Sequence, residues 1–392
     1  MIKAITAFTY EVDDRETAVE ELLTQLDLKS NLLKNSVGII SCYSEFIGSG
    51  IVKAISDALG FPAVGSTTLS NVVKGTDSSY MLLTLTVLTS DDVSFTVGVS
   101  EDILSADRSI LERAYKSAAE TLDESPKLMI SFVPLLMNVG GDFFVNSMNE
   151  ISGGVPNFGT LSVDHTEDYH EARVIANGEE YVNRYAFILL SGNVTPRFYM
   201  AGISQEKIFT EKGIATASAG NQLISVNDKP VGDYLESLGL KRNADGSIDG
   251  INSFPFIVDY NDGTEPVIRC MFALTPDGAA VCGGDIPVGA TLSVGKIDAA
   301  EVVTNTENVL THALSELKKD KSFMLMFSCV GRYFALGYDP TGELEKAKEI
   351  LETTEIPFMF AYAGGEICPV YDAERGSTAN RNHNDTFIIC MI

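Results

Sequence analysis

Short apolar runs alternate along the chain with stretches in which apolar residues recur every three or four positions, and the same succession returns three times. The first copy reads Ser36-Val37-Gly38-Ile39-Ile40-Ser41-Cys42, then a loop with Glu45, Gly48 and Gly50. A helical stretch follows with Ile51, Ile55, Ala58 and Leu59 on one face, and then Phe61-Pro62-Ala63-Val64-Gly65-Ser66-Thr67. The second runs from Lys127-Leu128-Met129-Ile130-Ser131-Phe132 through Gly140-Gly141 and a helix bearing Phe144, Met148 and Ile151 to Val155-Pro156-Asn157-Phe158-Gly159-Thr160. The third begins at Ser322, passes Phe327-Ser328-Cys329 and Gly331-Arg332, continues with a helix bearing Leu344, Ala347, Ile350 and Leu351, and ends in Ile356-Pro357-Phe358-Met359-Phe360.

Each copy predicts a strand, an amphipathic helix and a second strand that opens just after a proline, where a missing N–H breaks no ladder. That is a βαβ unit. Further apolar runs beginning at Tyr80, Tyr185 and Thr386 predict a closing strand for each unit. The expected fold class is therefore α/β, with mixed β-sheets and packed helices built from repeated βαβ-type modules. Between the second and third copies turn signals crowd in, at Asn227-Asp228-Lys229-Pro230, Asn261-Asp262-Gly263 and Asp277-Gly278, so short antiparallel strands are expected there. Helical patterns cover Val231 to Leu240 and Ala299 to Leu317. A boundary near Ala201-Gly202 gives two domains, 1–200 and 201–392.

Composition narrows the function classes. Of 392 residues, 54 are acidic and 28 basic, a formal net charge of −26, which opposes contact with phosphate backbones and anionic lipid. Nucleic acid and membrane are thus not expected as partners. The six cysteines are dispersed among apolar residues and read as buried thiols of a reducing compartment. With no leader-like segment at Met1–Thr6 and no apolar run long enough to span a bilayer, the expected location is the cytoplasm. His165 and His170 are five apart and do not share a helical face, so no metal site is expected, and no cofactor. Gly48-x-Gly50 lacks the rest of a dinucleotide fingerprint. Gly140-Gly141-Asp142-Phe143-Phe144 resembles the diguanylate-cyclase hairpin, but an apolar residue stands at its acidic fourth position and a helix pattern follows.

The order Gly65-Ser66-Thr67, Asn227-x-x-Pro230, Pro287-x-Gly289-Ala290, Cys329-x-Gly331-Arg332, Gly365-Glu366-Ile367-x-Pro369 and His383-Asn384-x-Thr386 resembles the FIST sensory domains, N-terminal then C-terminal, over nearly the whole chain. The resemblance implies a signal-input module for small ligands, amino acids being the usual suggestion. Such modules are often fused to an output domain. Here nothing of domain size remains for one, so a separate output protein is the expected partner.

In α/β sheets ligands meet the carboxyl ends of strands, which is where these glycine-bearing loops fall. Gly331 and Arg332 offer a guanidinium for a carboxylate, Gly365 and Glu366 a carboxylate for an ammonium, and His383 and Asn384 donors and acceptors for a polar ligand. Ser66 and Thr67 offer hydroxyls in the first domain. Beside each stands a structural reading: a surface salt bridge or cap for Arg332, a turn-holding carboxylate for Glu366, loop hydrogen bonds for His383 and Asn384. The rival class is an enzyme with Cys329 as nucleophile, His383 as base and Glu366 as orienter. Against it, Cys329 occupies the place of Cys42 in its repeat, which favours two buried small residues, and the chain is not expected to be an enzyme. A non-catalytic scaffold, which would need an exposed apolar patch, is the third reading.

Overall fold

A computed structural model describes residues 1–77, 81–166, 168–317, 323–373 and 376–392; Tyr80 and Ser322, each the first position of an expected strand, lie outside them. All three βαβ units form. Their parallel strand pairs are Asn35–Cys42 with Ala63–Thr67, Leu128–Val133 with Asn157–Leu161, and Met324–Cys329 with Phe358–Ala363. The intervening helices are Ile51–Leu59, Gly141–Ser152 and Thr341–Leu351.

In every unit the proline ahead of the second strand has the same task. The carbonyls of Pro62, Pro156 and Pro357 accept the N–H of Gly38 (2.9 Å), Met129 (2.8 Å) and Met324 (3.1 Å). A residue without a donor thus opens the ladder through its acceptor. The expected closing strands, Leu83–Ser90, Ala186–Gly192 and Phe387–Met391, pair antiparallel with the first strand of each unit. The third unit departs from its expected pattern in one respect. Gly331 and Arg332, read as loop, belong to a short extra helix, Val330–Ala335, that starts directly after Cys329.

The three units share one interior. Val37, Ile39 and Val64, then Ile130, Phe132 and Phe158, then Leu325, Phe327 and Met359 form a single apolar cluster, and Phe158 stacks on Phe327 with centroids 5.5 Å apart. The alternate residues of the same strands, such as Ile40, Met129 and Met326, face the helices in three separate clusters. Near-continuous apolar strands are the sequence mark of a sheet covered on both sides.

The segment after the second unit forms an antiparallel sheet with its own core. There Asn227 and Asp228, both at positive φ, turn Gln222–Val226 back on Lys229–Pro230, as two-residue hairpins require. The helices expected here are Val231–Ser237 and Ala299–Ser315.

Two sheets take strands from both ends of the chain. Glu366–Asp372 and Ser377–His383 extend the sheet of the second unit through Asn157–Leu161, and Asn71–Val73 joins the sheet of the third unit beside Phe358–Ala363. This crossing positions the site.

Candidate functional site

Three stretches of the third unit converge at the carboxyl end of its sheet. Cys329 closes a strand and begins the helix Val330–Ala335, its Sγ accepting the N–H of Gly331 at 3.4 Å. Gly364-Gly365 leads from the parallel strand into Glu366–Asp372, where Glu366 stands opposite His383 in register. Asn384-Asp385-Thr386 joins Ser377–His383 to the last strand, and the Cys329 N–H donates to the Thr386 carbonyl at 3.0 Å. The backbone positions of Gly331, Arg332, Gly365, Glu366, His383 and Asn384 are therefore brought together, though not all of their side chains.

Gly331 is fixed by its neighbour: a Cβ there would lie 1.8 Å from Asp385 Oδ1. Asp385 itself holds φ 52°, a conformation that Asp tolerates better than most residues. Its carboxyl is fully buried, and burial pushes its pKa up to about 7 despite the nearby Arg332. Burial, with Asp385 adding, also raises Glu366 well above the carboxylate range; its Oε2 accepts from Thr386 Oγ1 at 2.8 Å. Cys329 is pushed far up by burial and then by Glu366 and Asp385.

Arg332 points away from this cluster. Its side chain is fully buried and donates to Glu343 Oε1 from Nη2 (2.7 Å) and Nε (3.0 Å), and to Thr306 Oγ1 (2.8 Å) and the Val302 carbonyl (3.0 Å). Glu343 Oε2 accepts from Ser328 (2.9 Å) and Tyr362 (2.7 Å). This guanidinium is neither at the surface nor open to a bidentate clamp. Among the described residues Nη1 alone lacks a partner.

His383 is also fully buried. Its Nε2 lies 3.2 Å from the Cys368 carbonyl, and burial, with Arg269 and Arg381 adding, drives its pKa down to about 3. The imidazole stays neutral and its partner is not Cys329. Ser66 and Thr67 belong to the first unit. Thr67 exchanges bonds with the Arg173 backbone (3.0 and 2.8 Å), and Ser66 pairs with Val174. Among the described residues no hydrogen bond joins either to the Glu366–Asp385 cluster.

A second set of residues lies beside the first, and sequence reasoning missed it. Arg269, fully buried, donates from Nη2 to Asp142 Oδ1 (2.8 Å) and to the Tyr260 hydroxyl (2.6 Å), from Nη1 to the Asn382 carbonyl (2.8 Å), and from Nε to the Asp285 carbonyl (3.1 Å). Above it opens a cleft of about 290 Å³ lined by Asp142, Asn146, Tyr260, Asp285, Arg381 and Asn382. Burial, with Asp142 adding, raises Asp285. Arg381 is ion-paired with Asp262 and lies 5.2 Å from the centre of the Tyr260 ring. Residues 381–386 thus run from the cleft wall to the buried carboxyls. A weak signal for the missed residues existed: Asp142 is the third residue of the set-aside Gly140-Gly141 motif, and Asp385 is the unnamed position of His383-Asn384-x-Thr386.

Two family models cover most of the chain, the FIST N domain over residues 36–229 and the FIST C domain over 232–369. The three βαβ units and the glycine-bearing loops that meet at the site lie largely within these spans, and the chain belongs to the FIST family. FIST domains are sensory domains that bind small ligands. No curated protein matches the chain in sequence. Among solved structures, a cyanuric acid hydrolase from A. caulinodans is similar at 10% identity and a TM-score of 0.38, over 99% of this chain and 98% of that one. T. maritima PurL complexed with FGAR is similar at 9% identity and a TM-score of 0.23, over 100% of this chain and 72% of the other. Similarity this slight bears on neither fold nor chemistry. No helix among the described residues is long and apolar enough to cross a membrane.

Proposed function

We propose that the protein is a cytoplasmic sensor that binds a small polar ligand of the amino-acid class in the cleft over Arg269 and passes the signal to a separate output protein. The observation that carries this reading is the floor of that cleft. Asn382 Oδ1 and Arg381 Nε are buried polar atoms without a hydrogen-bond partner among the described residues, and both residues line an open cavity. Buried polar groups are almost always satisfied, so a ligand that supplies both a donor and an acceptor completes this wall.

The role is taken to be non-catalytic. A nucleophilic Cys needs a cation or base beside it to favour the thiolate. Cys329 has Glu366 and Asp385 instead, and His383 turns its Nε2 to the Cys368 carbonyl.

The test is a thermal-shift screen against amino acids, with Arg381→Ala alongside the native protein. A ligand at 100 times its dissociation constant stabilises by about 2.7 kcal/mol. A selective shift that disappears in Arg381→Ala, with the unliganded variant still folded, is the expected result. An undiminished shift in the variant, or silence across the panel, overturns the reading.

A further inference from the structure

The polar groups that line the cleft over Arg269 divide into those already spent and those left open. Asp142 is spent: Oδ1 accepts from Arg269 Nη2, and Oδ2 accepts from the Asp285 N–H and the Asn382 amide. The Tyr260 hydroxyl accepts from the same guanidinium at 2.6 Å. Because the Asn382 amide turns its nitrogen to the Asp142 carboxylate, its oxygen is the end left over. That oxygen is buried and without a partner among the described residues, and a Cβ on Gly141 would stand 2.9 Å from it. Only glycine leaves that space free.

Asp285 is the other open acceptor. Its backbone N–H and carbonyl are both bonded, but its carboxyl accepts no hydrogen bond and forms no ion pair among the described residues. The residue is exposed, and Oδ1 lies 3.6 Å from where a Cβ on Gly220, another lining residue, would stand. Burial, then Asp142, raises its pKa, and Arg269 offsets them only in part, as expected of a carboxylate with no cation of its own.

The charges around the cleft do not balance. Asp142 is neutralised by Arg269, and Arg381 by Asp262, which leaves Asp285 as the uncompensated negative charge among the lining residues. Arg381 Nε still offers one N–H. Ser218 and Asn146 carry groups that can donate or accept, so they decide nothing about charge.

We infer that Asp285 is the counter-charge for a cationic nitrogen of the ligand, with Asn382 Oδ1 as a second acceptor for its N–H groups, and that the cleft selects basic amino acids over neutral and acidic ones. The inference rests on the sensory reading and narrows it to a ligand of net positive charge. The α-carboxylate of such a ligand accepts from Arg381 Nε, and one cationic group remains for Asp285 once the zwitterion has cancelled itself. An acidic side chain would instead bring a second negative charge to Asp285. The net charge of −26 works in the same direction at longer range, by drawing cations toward the protein.

The experiment is calorimetric titration at pH 8 with lysine, with norleucine, which is lysine without its terminal amine, and with glutamate. Native protein, Arg381→Ala, Asp285→Asn and Asp285→Lys are compared. The Asp285 side chain is exposed and unbonded, so both substitutions there leave the protein folded, which circular dichroism checks. The expected result is that lysine binds at least about tenfold more tightly than norleucine or glutamate, that this advantage disappears in Asp285→Asn, and that Asp285→Lys prefers glutamate. Norleucine or glutamate binding the native protein as tightly as lysine, a lysine preference that survives in Asp285→Asn, or an equal loss of all three probes in that variant overturns the inference. If Arg381→Ala still abolishes binding in those cases, the cleft reading stands. Undiminished lysine binding in Arg381→Ala overturns both. Silence from all three probes overturns the inference, and silence across the full amino-acid panel overturns the sensory reading with it.

Discussion

Asp142 and Arg269, 127 residues apart in sequence, meet at 2.8 Å with the arginine fully buried. The carboxylate opens the helix Gly141–Ser152, and the guanidinium closes the strand Val267–Arg269. The other carboxylate oxygen accepts from the Asp285 N–H at 2.9 Å and the Asn382 amide at 3.1 Å. One ion pair thus ties a helix of the second unit, the antiparallel sheet and the segment that leads to the buried carboxyls. Asp142→Asn leaves the buried guanidinium without a counter-charge and is expected to cost about 3–5 kcal/mol, read from the urea midpoint. A variant as stable as the native protein would show that the pair contributes little.

Arg332 and Glu343 form the second buried pair, and the same physics applies with a sharper control. Arg332→Ala should cost about 3–5 kcal/mol, since Glu343 is then buried alone. Replacing both, as Arg332→Met with Glu343→Leu, should recover much of that loss, because well-packed apolar residues often substitute for a buried pair at little cost. Denaturant unfolding of the three proteins decides. If the double variant is no more stable than Arg332→Ala, the bonds of Glu343 to Ser328 and Tyr362 matter more than the charge.

The pH dependence of stability should carry two opposing slopes. Asp385 keeps its proton in the folded state up to about 7, whereas in the unfolded chain it loses it near 3.9. The folded state binds more protons across that window, so stability falls as pH rises from about 4 to 7. Asp385→Asn removes its share of the fall and leaves that of Glu366, which burial also raises. His383 acts the other way, protonating near 6.5 when unfolded but only at about 3 when folded, so stability falls as pH drops from about 6.5 to 3. His383→Gln flattens that limb. Each effect is on the order of 4 kcal/mol, and unfolding curves from pH 3 to 8 for the two variants should change slope in opposite directions.

Thiol chemistry separates a sensor from a cysteine enzyme. All six cysteines are buried, and burial raises every one of their pKa values. A thiol reagent at pH 7.5 should label the folded protein slowly and without preference for Cys329, and rapidly once urea is added. Fast labelling of Cys329 alone would restore the nucleophile reading.

The repeated units were legible because each is specified locally. A strand, a helix and a proline before the next strand all lie within about forty residues, and the period of the apolar positions distinguishes one element from the next. The crossing of Asn71–Val73 into the third sheet was not legible. A three-residue edge strand has too little pattern of its own, and its partner, Phe358–Ala363, is selected by a core assembled from distant segments. At the site, glycines followed by polar residues at strand ends led to Gly331, Gly365, Glu366 and Asn384. They also led to Arg332, whose side chain turns inward to a carboxylate eleven positions on, a direction that no spacing encodes. Asp385 escaped because its importance lies in what it touches: an acidic residue between Asn384 and Thr386 reads as an ordinary turn until Gly331 is placed against it.

Asn71–Val73 completes the third sheet, and Glu366–Asp372 with Ser377–His383 extends the second, so the two halves are woven through each other. A genetic breakpoint between them would leave each fragment with an unpaired strand edge, open to aggregation or to exchange with another copy. Splitting the chain between its halves therefore breaks two sheets at once, so the two family domains are units of sequence and not units of folding.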